Sequence, residues 1–152
     1  MQTLVRVLII GLLVSCSEDP DSLKESCTGK IDLETQQFPQ VWKLVKISGG
    51  MLNTETTGAN MYWQETIQLN ADGTFIKHRE ENNHASEASG TYSFALAGDQ
   101  ESIELTLTYS SARNLVVSCY GQLTEKYILQ TKCKLVGTWT HCDGYGLYYE
   151  KL

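Results

Sequence analysis

The stretch Ile103-Glu104-Leu105-Thr106-Leu107-Thr108-Tyr109 alternates apolar and polar residues without a break. Successive side chains of a strand point to opposite faces, so a two-residue period implies a sheet with one dry face and one wet face. Other stretches repeat the theme less cleanly: Val41–Ile47, Tyr62–Leu69, Gly90–Leu96, Leu115–Tyr120, Lys126–Gln130, Leu135–Trp139 and Leu147–Leu152. Trp63, Ile67 and Leu69 share one face of the second of these, and Tyr92, Phe94 and Leu96 one face of the third. Ser48–Asn60 and Glu80–Ala88 read as loops. Closely spaced short strands without an amphipathic helix predict an all-β domain, either a sandwich or a closed barrel. Hairpins with one apolar face each favour a small up-and-down antiparallel β-barrel of about eight strands, which leaves no open sheet edge.

One turn fixes a register. Asn70-Ala71-Asp72-Gly73-Thr74 can turn on Asp-Gly alone, which sets Asn70 against Phe75. A three-residue turn with Gly73 left-handed instead pairs Leu69 with Phe75, both apolar, and is the expected form. It places Ile67 opposite Lys77 and Glu65 opposite Arg79, on the face that Phe75 buries. Either a charged pair then sits at the open end of the core, or the strand bends outward before reaching it.

At the start of the chain, Arg6 precedes an apolar run from Val7 to Val14. The run is too short to span a bilayer, which takes about 20 residues. It suits the apolar part of a signal peptide with Met1–Arg6 as its positive end. Leu13-Val14-Ser15-Cys16 resembles the lipobox of bacterial lipoproteins, whose cysteine thiol receives a diacylglycerol and becomes the first residue of the mature protein. The resemblance implies a signal peptide over 1–15, acylation (palmitate-type chains) at Cys16, and a permanent membrane tether. One acyl chain binds only marginally and two signals suffice, so three chains hold firmly. Ser17 is not the Asp that retains lipoproteins at the inner membrane of enteric bacteria. Glu18, Asp19 and Asp21 resemble the acidic export signal of Bacteroidota lipoproteins. Together they imply the outer membrane, on its periplasmic or cell-surface side. Residues 16–40 then read as an acidic tether and arm, and 41–152 as the barrel domain.

Charge and cysteines agree with that compartment. Without Arg6 the mature chain has 11 Lys and Arg against 18 Asp and Glu, a formal balance of −7. No basic stripe is present, so nucleic acid is not an expected partner. Beyond Cys16 the cysteines are Cys27, Cys119, Cys133 and Cys142, an even number that predicts two disulfides in one of three connectivities. Cys119–Cys142 with Cys27–Cys133 is favoured, the first tying late strands together and the second pinning the arm. A zinc site needs tighter ligand spacing than these cysteines offer, and no metal or cofactor is expected.

Four stretches carry a further resemblance: Val41-Trp42-Lys43-Leu44-Val45, Ala71-Asp72-Gly73-Thr74-Phe75, Ser89-Gly90-Thr91-Tyr92 and Tyr149-Glu150-Lys151. They are similar to the G-x-W-x-L, D-G-T-F, G-x-Y and Y-x-K elements of the lipocalin-like domain of Bacteroidota lipoproteins, with Gln40 where the first glycine is expected. Gly137-Thr138-Trp139-Thr140-His141-Cys142-Asp143-Gly144 looks like a C-D-G ending of the same group. The resemblance spans 41–152 and implies an eight-stranded calyx, with the residue matching Trp42 closing its bottom. A barrel of that size is either filled by side chains or holds one small ligand.

No catalytic site stands out. G-x-S-x-G, P-loop and dinucleotide fingerprints are missing from the sequence, so no enzyme is expected. Of His78, His84, Glu80 and Glu81, three fall in the Glu80–Ala88 loop, so the group reads as solvated residues and not a metal site, and Cys142 beside His141 as an oxidised cysteine. Two readings of function follow. Fold analogy narrowly favours a tethered binding module for a small apolar ligand, its pocket lined by Trp63, Phe75, Tyr92, Phe94, Leu105, Leu107 and Tyr109. The alternative is a structural or assembly lipoprotein with a filled barrel, whose loops Ser48–Asn60 and Glu80–Ala88 dock to another envelope protein. The anchor has a direct check: Cys16→Ala is expected to leave the protein soluble or unprocessed, read by partition into detergent, and wild-type partition of that variant would refute the lipid assignment.

Overall fold

The structure, a computed structural model, describes Cys27 and residues 37–49, 54–99, 101–111, 113–119 and 121–152. The signal segment, Cys16 and nearly all of the tether lie outside these residues. The elements are β1 (Gln40–Ser48), β2 (Glu55–Thr57), β3 (Gln64–Leu69), β4 (Thr74–Glu81), β5 (His84–Leu96), β6 (Ile103–Tyr109), β7 (Thr124–Thr131), β8 (Lys134–Gly137) and β9 (Gly146–Lys151). From β3 to β9 each strand pairs with the next, antiparallel, and β1 pairs with both β3 and β9. The sheet therefore closes on itself as an eight-stranded up-and-down barrel, with β2 added beside the end of β1.

Local chemistry explains the joins. Leu69 faces Phe75 and Gly73 is left-handed at φ 81°, so the three-residue turn forms as expected. Asp72 accepts hydrogen bonds from the Thr74 amide and hydroxyl, which hold its carboxyl below the usual range. Along β1 the apolar alternation of Trp42 and Leu44 skips to Ile47, because a bulge between Leu44 and Lys46 resets which face the strand presents. Gly90 lies where a Cβ would come within 1.9 Å of the Thr108 carbonyl oxygen, so only glycine lets β5 and β6 approach there.

Three sequence expectations are corrected. Glu80–Ala88 is no loop but the tip of the β4–β5 hairpin, turning on Asn82 and Asn83, both left-handed at φ 52° and 62°. Asparagine tolerates that conformation, as a two-residue hairpin turn requires. The strand period was hidden because the tip projects with both faces exposed. Leu115–Tyr120 is no strand: a 3₁₀ turn at Arg113–Leu115 leads into irregular backbone through Cys119, with Tyr120 outside the described residues. Likewise Trp139 follows β8 in a 3₁₀ turn, Thr138–Cys142, instead of ending the strand.

Two disulfides are present, Cys119–Cys142 and Cys27–Cys133. In the chain-entropy account, a bridge closing a 23-residue separation stabilises by about 3 kcal/mol. At the end of the barrel where β1 begins, Trp42 is 1% exposed, and Phe38 packs on Tyr92 and Tyr92 on Phe94. The hairpin tip at Asn82 and the segment around Leu115 gather at the opposite end, the mouth.

Candidate functional site

The inward faces of β3, β4 and β7 do not stay apolar. Period two carries Glu65 inward with Ile67, Lys77 and Arg79 inward with Phe75, and Glu125 inward with Tyr127. All four charged residues are buried, Lys77 completely. The Lys77 ammonium lies 2.9 and 3.0 Å from the two Glu125 oxygens and 3.1 Å from Glu65 Oε1. Arg79 Nε donates to Glu65 Oε2 at 2.6 Å. Three phenols complete the set: Tyr149 donates to Glu65, and Tyr109 and Tyr127 both donate to Glu125. The Val117 amide also donates to Glu125, while the Leu115 carbonyl accepts from Lys77 and Arg79, each at 3.4 Å. The 113–117 backbone thus places polar groups on the network that a strand would have placed on a neighbour, which is why no strand forms there.

Two cations face two anions, so the cluster is neutral as a whole. That balance matters, since an unpaired charge at such depth costs several kcal/mol. Burial pulls against the Arg79 charge, but Glu65 beside it prevails and holds the guanidinium above its usual value. Burial first, and then the Glu125 carboxylate, pushes the Tyr109 and Tyr127 phenols well above the usual range. Burial and then Glu65 do the same to Tyr149. Carboxylates that each accept several hydrogen bonds are held in place, and these phenols stay protonated as their donors.

The residues expected to line a ligand pocket fall in three places. Phe75, Leu105, Leu107 and Tyr109 lie in the buried core, where the Phe75 and Tyr109 rings meet edge to face. Trp63 is 8% exposed at the mouth, with the Arg79 guanidinium 4.6 Å from its ring centre. Tyr92 and Phe94 are half-buried at the opposite end, and the Tyr92 hydroxyl donates to the Asn70 carbonyl. The seven are therefore not brought together around one space. His78, Glu80, Glu81 and His84 are exposed on β4 and β5, strand residues and not loop residues. Among the described residues no group of His, Cys, Asp and Glu could hold a metal ion, and no helix is long and apolar enough to cross a membrane.

Glu125 lies one residue before the Lys126–Gln130 stretch, and the alternation of Tyr127 and Leu129, carried back two residues, reaches it. Outside the barrel, a groove of about 390 Å³ runs over β6 and β7, bordered by Trp139, His141 and Cys119. Comparison of the chain with protein-family models, curated proteins and solved structures finds no match.

Two outcomes are expected from the interior. Lys77→Met leaves two buried carboxylates to one cation and costs about 3–5 kcal/mol of stability. Lys77→Met with Glu125→Gln restores neutrality and costs less than the single change, as denaturant midpoints will show. The raised phenol pKa values of Tyr109, Tyr127 and Tyr149 mean that the folded state keeps protons the unfolded chain releases. Their contribution is complete below about pH 10 and is lost as pH rises beyond it. Phenolate absorbance from these three should therefore appear only together with unfolding.

Proposed function

We propose that this protein is an envelope lipoprotein, tethered through Cys16, whose barrel is a solid scaffold working through its outer surface and mouth. One observation carries the choice between filled scaffold and open calyx: Lys77, Glu65, Arg79, Glu125 and three tyrosines occupy the interior in contact with one another. A small apolar ligand seated there would have to displace a neutral, mutually hydrogen-bonded set of charges, at several kcal/mol for each group left unpaired. The anchor rests on the likeness of Leu13–Cys16 to a lipobox. Two disulfides fit an oxidising compartment outside the cytosol. No catalytic role is assigned, since both interior carboxylates are already held by Lys77, Arg79 and tyrosine hydroxyls.

The mouth is the surface best suited to meeting another envelope protein. There the exposed Tyr62 packs against Tyr145, and the Asn82–Asn83 hairpin tip projects. Fatty acids and retinoid-like dyes are expected to give no saturable quenching of tryptophan fluorescence. A photo-crosslinker at Tyr62 or Asn83 in intact cells is expected to recover a defined neighbour that one at Ser93, on the barrel wall, does not. Saturable quenching by an apolar probe, or identical recovery from all three positions, would count against the scaffold.

A further inference from the structure

The groove outside the barrel is built differently from the interior. Its floor is the outward face of β6 and β7, where Lys126 and Glu104 pair at 2.7 Å and Ile128 supplies an apolar patch. One wall is the Thr138–Cys142 turn, bolted to Cys119 by its disulfide. Trp139 in that turn is held on several sides. The Gly144 backbone lies so close against its indole that a Cβ there would come within 2.3 Å of the ring. Tyr145 meets it edge to face, and Asp143 ends the turn in the left-handed conformation while the Gly144 amide donates to the Trp139 carbonyl. The His-Cys-Asp-Gly sequence thus reads as a device that fixes one tryptophan at the border of a groove.

We infer that this groove is a binding site for a neutral sugar ring, stacked on Trp139 and hydrogen-bonded by the Glu104–Lys126 pair and Gln122. A volume of about 390 Å³ lies in the range of small-ligand sites and suits one or two rings. Sugars present an apolar C–H face and a rim of hydroxyls, and the groove pairs an aromatic wall with charged and amide groups in the same way. A purely apolar ligand would strip water from Glu104 and Lys126 without replacing its hydrogen bonds. Asp99 and Glu104 outnumber Lys126 at the groove, which disfavours an anion. A peptide adding as a strand finds no edge, because β6 and β7 are each paired on both sides. An immobilised indole also loses little freedom on binding, so even a single stacked ring retains affinity. The inference goes beyond the scaffold reading and does not depend on the anchor.

The test uses the full chain as purified, in a sugar-free detergent, with tryptophan indole N–H signals followed by NMR. Glucose, galactose, mannose, N-acetylglucosamine and glucuronate are titrated, each to about 10 mM, to reach millimolar affinities. At least one neutral sugar should shift the Trp139 signal saturably and leave that of Trp42 unmoved. Followed instead through the sugar's own saturation-transfer signals, Trp139→Ala should weaken binding about tenfold and Trp139→Phe much less. Glu104→Gln, a change on the outer surface that keeps the side chain's shape, should weaken it as well and covers the case in which Trp139→Ala fails to fold. No saturable shift with any neutral sugar, binding unchanged in both Trp139→Ala and Glu104→Gln, or glucuronate bound as tightly as glucose would overturn the proposal.

Discussion

Lys77 sits at the centre of the barrel, and its ammonium bridges two carboxylates from opposite walls, Glu65 on β3 and Glu125 on β7. Strands far apart in the sheet order are joined by this contact as well as by apolar packing. Buried ion pairs rarely exceed an apolar core in stability, because desolvation offsets most of the attraction. Their geometry is nonetheless specific. Glu125 accepts from Lys77, Tyr109, Tyr127 and the Val117 amide, and a one-residue slip of β7 would turn Glu125 and Tyr127 outward and leave the other donors without their acceptor. Register and the course of the backbone from Leu115 to Val117 both depend on the same few atoms.

The covering segment shows how this network shapes backbone. Leu115 is buried at 2% exposure and its carbonyl faces Lys77 and Arg79, while the Val117 amide two residues on meets Glu125. A run of β-branched residues such as Val116-Val117 favours a strand in isolation. Here buried polar side chains offer hydrogen bonds that a neighbouring strand would otherwise provide, and the chain takes the irregular path that reaches them.

Much of the barrel was legible in the sequence, for a definite physical reason. A sheet with one buried face repeats every two residues, and β6 states that period without interruption from Ile103 to Tyr109. The Asn70–Thr74 turn set the β3–β4 register, and with it the placement of Lys77 and Arg79 on the inward face. What the register alone could not decide was whether those charges stay inside, because the answer lies with Glu125, 48 residues further on from Lys77. The β4–β5 tip was unreadable for a different reason: strands exposed on both faces carry no period. The groove was hidden because Trp139 lies in a turn whose position depends on the Cys119–Cys142 bridge, and no local pattern reports that.

The bond from Cys27 to Cys133 reaches the turn between β7 and β8, close to where Lys151 at the end of β9 donates to the Cys133 carbonyl. On the proposed anchoring, the leash from the acylated residue to this fixed point is only 11 residues long, which can stretch to about 40 Å at most. The barrel would be moored by its base, close to the bilayer. The rim bearing Tyr62, the asparagine turn and Leu115 lies at the end of the barrel away from that attachment.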